Sequence, residues 1–265
     1  MSDKDAERIW LETHGGRGVS FARLGERVAY SLRQHGVAKT LTIAATKPFS
    51  RALAPMRYQI DGRIDRRYGI DTQGRVPLSG LSIVGGDKSI GQPYEPTPEL
   101  SFHRIMSHLP HSLASFTFVD VGCGKGRALF CASQYDFSRI VGIEFATDLA
   151  IIAAANAEKF AVKTDDRRIS VIQADATQYE PPTTPLLYYF FQPFNAAEPY
   201  RLIADNLERS FQATPRKIYV VLLISRWVPV FAESGFLRLL VEAKLPLDVR
   251  LPTRHRFAIL ETPGN

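Results

Sequence analysis

Cysteine is scarce in this sequence, which contains two, Cys123 and Cys131, among 265 residues. Both fall within one predicted unit of strand, loop and helix, an arrangement that favours reduced thiols over a disulfide framework. Neither cysteine has the companion cysteines or histidines that a zinc site requires. We therefore expect that neither disulfides nor a metal centre hold this fold together.

Long hydrophobic runs are also missing. No stretch reaches the roughly eighteen consecutive apolar residues of a membrane-spanning helix. The segment from Met1 to Trp10 is polar and of mixed charge, without the apolar core of a secretory signal peptide. Apolar residues make up 45% of the chain and charged residues 23%, the proportions of an ordinary globular protein. These features predict a cytoplasmic enzyme with no membrane attachment.

Charge is distributed unevenly along the chain. Residues 1–67 contain 13 Lys and Arg against 7 Asp and Glu, and this excess equals the formal net charge of +6 of the whole sequence. The remaining residues are therefore neutral overall. A basic segment of this kind indicates either a solvated helical face or an arm that recognises an acidic partner, such as nucleic acid or an acidic protein surface. Composition leaves both interpretations open.

Residues 1–97 and residues 98–265 differ in pattern. The first part is helical and irregular, with an amphipathic helix predicted over Phe21–His35 and a Gly- and Pro-rich connection that contains a short strand near Leu81–Val84. We interpret it as an extension that serves as a lid or in substrate recognition. In the second part short apolar strands alternate with helices, which is typical of βαβ units and a mostly parallel sheet.

The second part is predicted to contain five strands, five helices and a closing hairpin. The strands are predicted at residues 116–121, 140–143, 169–173, 186–191 and 217–224. The helices are predicted at residues 100–109, 126–134, 147–160, 199–213 and 228–243. The hairpin pairs residues 248–251 with residues 256–261, and its short connection leaves no room for a crossover helix. The last strand should therefore be antiparallel, and the fold class is α/β.

The most informative segment is FVDVGCGKGR, from Phe118 to Arg127. An apolar strand runs into Gly122, Gly124 and Gly126, and a helix follows at once. Glycine is required where a backbone turns sharply and approaches a ligand with no Cβ in the way. The following helix N-terminus would add unpaired N–H groups and a positive dipole end, which suit a carboxylate or a phosphate. The segment predicts that a ligand lies against this loop.

Acidic residues follow the next two predicted strands. Glu144 stands 22 positions after Gly122, where a carboxylate can accept hydrogen bonds from both ribose hydroxyls. The third strand leads into Asp175 and Ala176, where an acidic side chain can accept the adenine amino group, and Phe145 is placed to lie against the adenine face. Taken singly, each carboxylate could equally cap a helix or face solvent. Together, in the order of the parts of a nucleoside, these features favour a nucleoside-binding site.

Three phrases, VDVGCGKGR, VGIEF and IQADA, resemble motifs I, II and III of the class I S-adenosylmethionine (SAM)-dependent methyltransferases. The resemblance covers about residues 94–261. It implies a Rossmann-like sheet of seven strands with an antiparallel last strand, and SAM lying across the carboxyl ends of the strands. It also implies that Asp120 and the three glycines line the methionine end of SAM. Glu144 would then hold the ribose, and Asp175 with Ala176 the adenine.

The main alternative for the glycine loop is a dinucleotide-dependent oxidoreductase. Its fingerprint requires a third glycine at the position that Arg127 occupies here. It also assigns no role to Asp175 or to an antiparallel hairpin at the end of the sheet. The sequence therefore favours the methyltransferase.

The fourth predicted strand leads into Gln192-Pro193-Phe194. This order is similar to the (Asn/Asp/Ser)-Pro-Pro-(Tyr/Phe) motif of amine-directed methyltransferases, although Gln replaces the usual polar residue and one proline is missing. The resemblance implies that polar acceptors orient an amine lone pair toward the methyl group while the aromatic ring excludes water. Such catalysis depends on positioning and desolvation. The alternative is a strand that simply ends at a proline.

A further resemblance concerns Tyr94. The segment Pro93–Pro98, PYEPTP, is similar to the loop that precedes motif I in the non-SET protein lysine methyltransferases. The resemblance implies that Tyr94 covers the cofactor and that the acceptor is a protein lysine. We therefore predict methyl transfer to the nitrogen of a protein lysine or another amine, with S-adenosylhomocysteine as the product. Two alternatives remain, a small-molecule O- or N-methyltransferase with residues 1–97 as its lid, and a SAM-binding module without catalysis.

Overall fold

The structure, a computed structural model, describes residues 62–85, 87–245 and 256–263. The chain divides into two compact units, Met1–Arg57 and Tyr58–Asn265, and every described residue belongs to the second. The helix predicted over Phe21–His35 lies outside the described residues. Residues 62–97 share a compact unit with the sheet, while the division of the chain at residue 97 and the role of the extension stay predictions.

Seven strands form one sheet in the order β3-β2-β1-β4-β5-β7-β6. The strands are β1 (Thr117–Val121), β2 (Arg139–Glu144), β3 (Ile169–Gln173), β4 (Leu186–Phe190), β5 (Ile218–Leu223), β6 (Arg238–Lys244) and β7 (Arg256–Glu261). Strands β1 to β5 form parallel pairs, and β7 runs antiparallel to both β5 and β6. The predicted Rossmann-like sheet of seven strands with an antiparallel last strand is confirmed.

Within the described residues 98–245, five α-helices accompany the sheet: α1 (Glu99–Met106), α2 (Arg127–Ala132), α3 (Thr147–Thr164), α4 (Glu198–Ala213) and α5 (Val228–Ala232). Side chains alternate between the faces of a strand, so Phe118 of β1 packs in one apolar cluster with α1, α2 and α3, and Val119 packs in another with α4 and α5. Helices therefore cover both faces of the sheet, as predicted. None of the described helices combines the length and apolar character needed to cross a membrane.

The predicted helix over residues 228–243 is wrong beyond its first turns. Helix α5 ends at Ala232, Gly235 adopts a positive φ of 77°, and Arg238–Lys244 forms strand β6. Glycine is the residue that most readily adopts such a φ, so it ends the helix. Strand β6 is the hairpin partner of β7, whereas the strand predicted at residues 248–251 lies outside the described residues.

Residues 62–85 and 87–97, which we call the strap, first pack against the helices on one face of the sheet, where Tyr68 contacts Phe160 of α3, and then cross the carboxyl ends of the strands. Residues 62–68 are helical. Beyond them the strap forms isolated bridges, Ile83 with Ala146 after β2 and Gly91 with Phe194 after β4. The short strand predicted near Leu81–Val84 is thus a single bridge. The strap spans the edge at which parallel strands present their loops, which is where α/β sheets bind ligands.

Candidate functional site

A cavity of about 940 Å³, including space open to solvent, lies between the strap and the carboxyl ends of β1 to β4. Eleven of the twelve residues that the sequence predicts for the site line this cavity. They are Tyr94, Asp120, Gly122, Gly124, Glu144, Phe145, Asp175, Ala176, Gln192, Pro193 and Phe194. The parallel strands bring these residues together because all their carboxyl ends meet at one edge of the sheet.

The glycine loop after β1 adopts the backbone conformation that favours glycine. Gly122, Gly124 and Gly126 have φ angles of 74°, 55° and 90°, in the left-handed region that other residues rarely occupy. A Cβ on Gly122 would lie 2.7 Å from Cβ of Pro193, and a Cβ on Gly124 would overlap the ring of Tyr94. The loop therefore needs glycine partly because protein groups, rather than a ligand, lie against it.

Gly126 is the one predicted site residue that does not line the cavity. It precedes helix α2, and a Cβ there would meet Leu129 and Phe130 at 3.4 Å. Its positive φ turns the chain into the helix. The sequence pattern does not distinguish this structural glycine from the two that lie at the cavity.

Glu144 ends β2 and is 3% exposed. Its Oε2 accepts the N–H of Gly124 at 2.7 Å, and its Oε1 accepts the N–H of Ala146 at 2.9 Å. Burial raises the pKa of this carboxyl, while hydrogen bonds from the backbone N–H groups of Ala146 and Gly124 oppose the rise. A carboxylate has about four acceptor positions, so Glu144 fixes the glycine loop and retains acceptor capacity toward the cavity.

Asp120 lies within β1 and is 4% exposed. Burial raises the pKa of its carboxyl well above the ordinary value, and the neighbouring Glu144 raises it further. A cationic ligand in the cavity would favour the ionised form of Asp120, because opposite charge lowers the pKa of a carboxyl. Burial therefore favours the protonated form of Asp120 unless a cation lies beside it.

Asp175 follows β3 and caps a short 3-10 helix, Ala176–Gln178. Its Oδ1 accepts the N–H of Thr177 at 2.9 Å and the Thr177 hydroxyl at 2.8 Å. The capping role that the sequence left open is thus present, and the same side chain also lines the cavity. Above it, a Cβ on Gly85 of the strap would lie 3.4 Å from Cβ of Asp175.

Phe145 forms part of the wall between these carboxylates and the strap. A Cβ on Gly91 would lie 3.2 Å from Cζ of Phe145, and the Phe145 carbonyl accepts the N–H of Val84 at 2.8 Å. Ring and backbone of Phe145 both contact the strap, which closes this side of the cavity.

The loop after β4 carries Gln192 in a left-handed conformation with a φ of 48°. A residue other than glycine in this region is strained, and such strain concentrates at functional sites. The Pro193 carbonyl accepts the N–H of Gln92 at 3.0 Å, and the Phe194 carbonyl accepts the hydroxyl of Tyr200 at 3.3 Å. The amide side chain of Gln192 also lines the cavity, and its role toward a methyl acceptor stays a prediction.

Tyr94 is buried against the glycine loop, and its proposed role as a cover of the cofactor stays a prediction. Its hydroxyl donates to the carbonyl of Thr72 at 2.6 Å, and burial raises its pKa well above the ordinary value. Its ring occupies the space that a side chain at Gly124 would need. Tyr94 therefore acts as a neutral aromatic cover of the glycine loop that the strap holds in place.

Arg127 is a cavity residue that the sequence analysis did not assign to the site. Its side chain is 1% exposed and lines the cavity. The sequence identified Arg127 only by the glycine that it replaces. Its position directly after the glycine loop was the available signal, because any residue there must lie near whatever the loop contacts.

Comparison with known proteins gives likenesses at the level of structure. No family model and no curated protein matches the sequence. Among similar solved structures, the cyclase SpnF is 17% identical over 55% of this chain, which spans 60% of SpnF, with a TM-score of 0.43. A SAM-dependent methyltransferase from Aquifex aeolicus is 14% identical over 62% of this chain and 92% of its own, with a TM-score of 0.46. The N-methyltransferase NodS from Bradyrhizobium japonicum, solved with S-adenosyl-L-homocysteine, is 13% identical over 63% of this chain and 86% of its own, with a TM-score of 0.45. At this similarity, function has to be inferred from the site.

Proposed function

We propose that this chain is a SAM-dependent methyltransferase whose cofactor lies along the carboxyl ends of β3, β2 and β1. The observation that carries the proposal is the row of carboxylates Asp175, Glu144 and Asp120 on three neighbouring strands of the sheet, beside a glycine loop and within one cavity. The row matches the order adenine, ribose and methionyl amino group. The cavity combines apolar walls with a few convergent polar groups, as ligand sites do.

Each residue in the row has a chemically distinct partner in SAM. Asp175 would accept a hydrogen bond from the adenine amino group, and Phe145 would lie against the base. The remaining acceptor positions of Glu144 would take the ribose hydroxyls. Asp120 would face the methionyl ammonium, and the pKa of its buried carboxyl would fall when that cation is present.

The acceptor site is proposed at Gln192, where β4 leads out of the sheet beside the glycine loop. SAM supplies an electrophilic methyl group, and the protein has to orient a nucleophile in line with it and exclude water. The Gln192 side chain would accept a hydrogen bond from the nucleophile, while Phe191 and Phe194 form apolar walls. The carbonyls of Pro193 and Phe194 each accept one protein donor and keep a second acceptor position, so they could assist Gln192 in this orientation.

An amine is the acceptor that the cavity favours. Among the described residues that line it, Arg127 is basic and five are acidic, namely Asp87, Glu95, Asp120, Glu144 and Asp175. Asp120, Glu144 and Asp175 are assigned to the cofactor and Glu95 pairs with Arg75 at 2.9 Å, which leaves Asp87 as the carboxylate of the lining that would favour a cationic acceptor over a phosphate. We therefore propose a protein lysine or another amine as acceptor. A small-molecule acceptor enclosed by the strap is the second candidate, since the strap already covers the cavity.

Cofactor binding is tested by calorimetry with S-adenosylhomocysteine. The intact chain should bind it, and Glu144→Ala and Asp175→Ala should each weaken binding by about 10- to 100-fold, the effect of a lost hydrogen bond to a charged group. Gln212→Ala, an exposed glutamine on α4, is the control and should bind like the intact chain. Unchanged affinity in both acidic variants would refute the placement of the cofactor.

The acceptor is tested with SAM labelled in its methyl group and a cell lysate. Label that is lost on protease treatment but survives RNase and mild base identifies a protein amine, because methyl esters are hydrolysed by base. Label in the small-molecule fraction identifies the second candidate, and label lost on RNase treatment identifies nucleic acid. Gln192→Ala should bind the cofactor but transfer little label. Binding with no transfer to any fraction would contradict catalysis and leave a binding module.

A further inference from the structure

The guanidinium of Arg127 has one edge bonded to the strap and one without a partner. Nε donates to Oγ1 of Thr72, and Nη2 lies 3.4 Å from Oδ1 of Asp65. The third nitrogen, Nη1, is buried and has no hydrogen-bond partner in the described part of the chain. A buried guanidinium N–H without an acceptor is unfavourable, so this edge calls for an acceptor from a ligand.

The chemistry of the cavity defines what that acceptor is. A guanidinium stays protonated in proteins and its planar fork matches a carboxylate. Arg127 is also the basic residue among the described residues that line the cavity. A ligand that carries one anionic group therefore has one favourable place for it, at Nη1.

We propose that Nη1 of Arg127 binds the α-carboxylate of the methionyl group of SAM, and that the same guanidinium links the bound cofactor to the strap. The inference rests on the proposed function and names its carboxylate site. Arg127 and Asp120, either side of the glycine loop in sequence, would then receive the carboxylate and the ammonium of one zwitterion. A cofactor with its carboxylate in place would stabilise the strap over the cavity through Thr72 and Asp65.

Two ligands that differ only in the carboxylate test this site. Calorimetry compares S-adenosylhomocysteine with its decarboxylated analogue, S-adenosyl-3-thiopropylamine. The intact chain should bind the first about 10- to 100-fold more tightly, the effect of a hydrogen bond to a charged group. Equal affinity for both ligands would overturn the role of Arg127 while leaving the proposed function in place. Failure of S-adenosylhomocysteine to bind at all would refute the proposed function itself.

Variants of Arg127 and Thr72 test whether Arg127 is the residue that recognises the carboxylate. Arg127→Met should weaken the binding of S-adenosylhomocysteine by the same factor and leave the affinity for the analogue nearly unchanged. Thr72→Val is the matched control, because it removes the contact of Nε with the strap and keeps the guanidinium and its contact with Asp65, so the preference for the carboxylate should persist. Arg127→Lys, which keeps a cation, serves if the methionine variant does not fold, and should retain part of the preference. If the variants at position 127 lose the same factor in affinity for both ligands, the proposal is overturned.

Hydrogen exchange tests separately whether Arg127 links the bound ligand to the strap. Hydrogen exchange of the backbone N–H of Thr72, which donates to Oδ2 of Asp65 at 2.7 Å, should slow when S-adenosylhomocysteine is added to the intact chain. The decarboxylated analogue should slow it much less. In Thr72→Val, where the guanidinium keeps its contact with Asp65, the protection of the neighbouring amides should be reduced. Equal protection by the two ligands would refute the link.

Discussion

The contact between Gly124 and Tyr94 offers a sharp test of how the strap sits on the glycine loop. In Gly124→Ala the new Cβ would overlap Cδ2 and Cε2 of Tyr94 and lie 3.1 Å from Cγ, on a backbone with a φ of 55°. Gly69→Ala is a matched control, because Gly69 has a φ of 70° and nothing within 4 Å of a Cβ. The two substitutions share the backbone strain and differ in the overlap.

The expected losses in the free energy of unfolding follow from the backbone strain, the entropy of the unfolded chain and the overlap. A left-handed conformation costs an alanine about 1–2 kcal/mol, and the smaller entropy of the unfolded chain returns about 0.4–1 kcal/mol. Gly69→Ala should therefore lower the free energy of unfolding by about 1 kcal/mol. Gly124→Ala adds overpacking, about 1–3 kcal/mol, so its loss should be about 2–4 kcal/mol.

Urea unfolding of a double-mutant cycle isolates the overlap. If the ring of Tyr94 causes the additional loss, Gly124→Ala made in a Tyr94→Ala background should cost no more than Gly69→Ala, with a coupling energy of about 1–3 kcal/mol. Equal losses for Gly69→Ala and Gly124→Ala would refute the reasoning. So would a loss at Gly124 that does not change when Tyr94 is removed.

Three further predictions concern the same cavity. Because burial raises the pKa of Asp120 in the folded state, the contribution of its carboxyl to stability is present below the ordinary pKa and is lost as the pH rises through the folded pKa. At neutral pH, Asp120→Asn should therefore unfold at a higher urea concentration than the intact chain, and its stability should not show this decline with pH. An equal decline in both proteins would contradict the assignment. Tyr94→Phe removes the donor to the buried Thr72 carbonyl and should lower the free energy of unfolding by about 1–3 kcal/mol, measured in urea; an unchanged midpoint would show that the bond contributes little. Gln192→Gly should be more stable than Gln192→Ala by about 1 kcal/mol, since glycine adopts the left-handed φ without strain, and neither variant should transfer the methyl group. Equal stability of the two variants would show that the loop relaxes.

The sheet could be predicted from the sequence because its central strands carry their own signal. Strands β1, β4 and β5 are buried along their whole length, so each is a nearly continuous apolar run. Strand β6 is different, because it lies at the edge of the sheet and five of its seven residues are exposed. Its identity as a strand depends on pairing with β7, a non-local contact, and its apolar residues fit a helical pattern just as well.

The candidate site was predictable to the extent that topology alone assembles it. Asp120 and Glu144 lie near the ends of neighbouring strands, and Asp175 and Gln192 follow two others, so a parallel sheet brings all four to one edge whatever the details of packing. The partners of Arg127 are 55 and 62 residues away in sequence, and no periodic pattern connects them to it. Contacts of this kind follow from tertiary packing and have no local signature.

The strap contacts the loops on both sides of the cavity and explains how the Gln192 loop keeps its strained conformation. On one side its Val84 N–H donates to the Phe145 carbonyl, and on the other its Gln92 N–H donates to the Pro193 carbonyl. The loop that begins at Gln192 is thereby held between β4 and the strap, and a constraint at both ends can maintain a left-handed glutamine that an unconstrained loop would relax. Since the strap also covers Gly124 through Tyr94, its substitutions should affect cofactor affinity and acceptor orientation together, whereas substitutions at Asp175, at the far end of the row, should affect the cofactor alone.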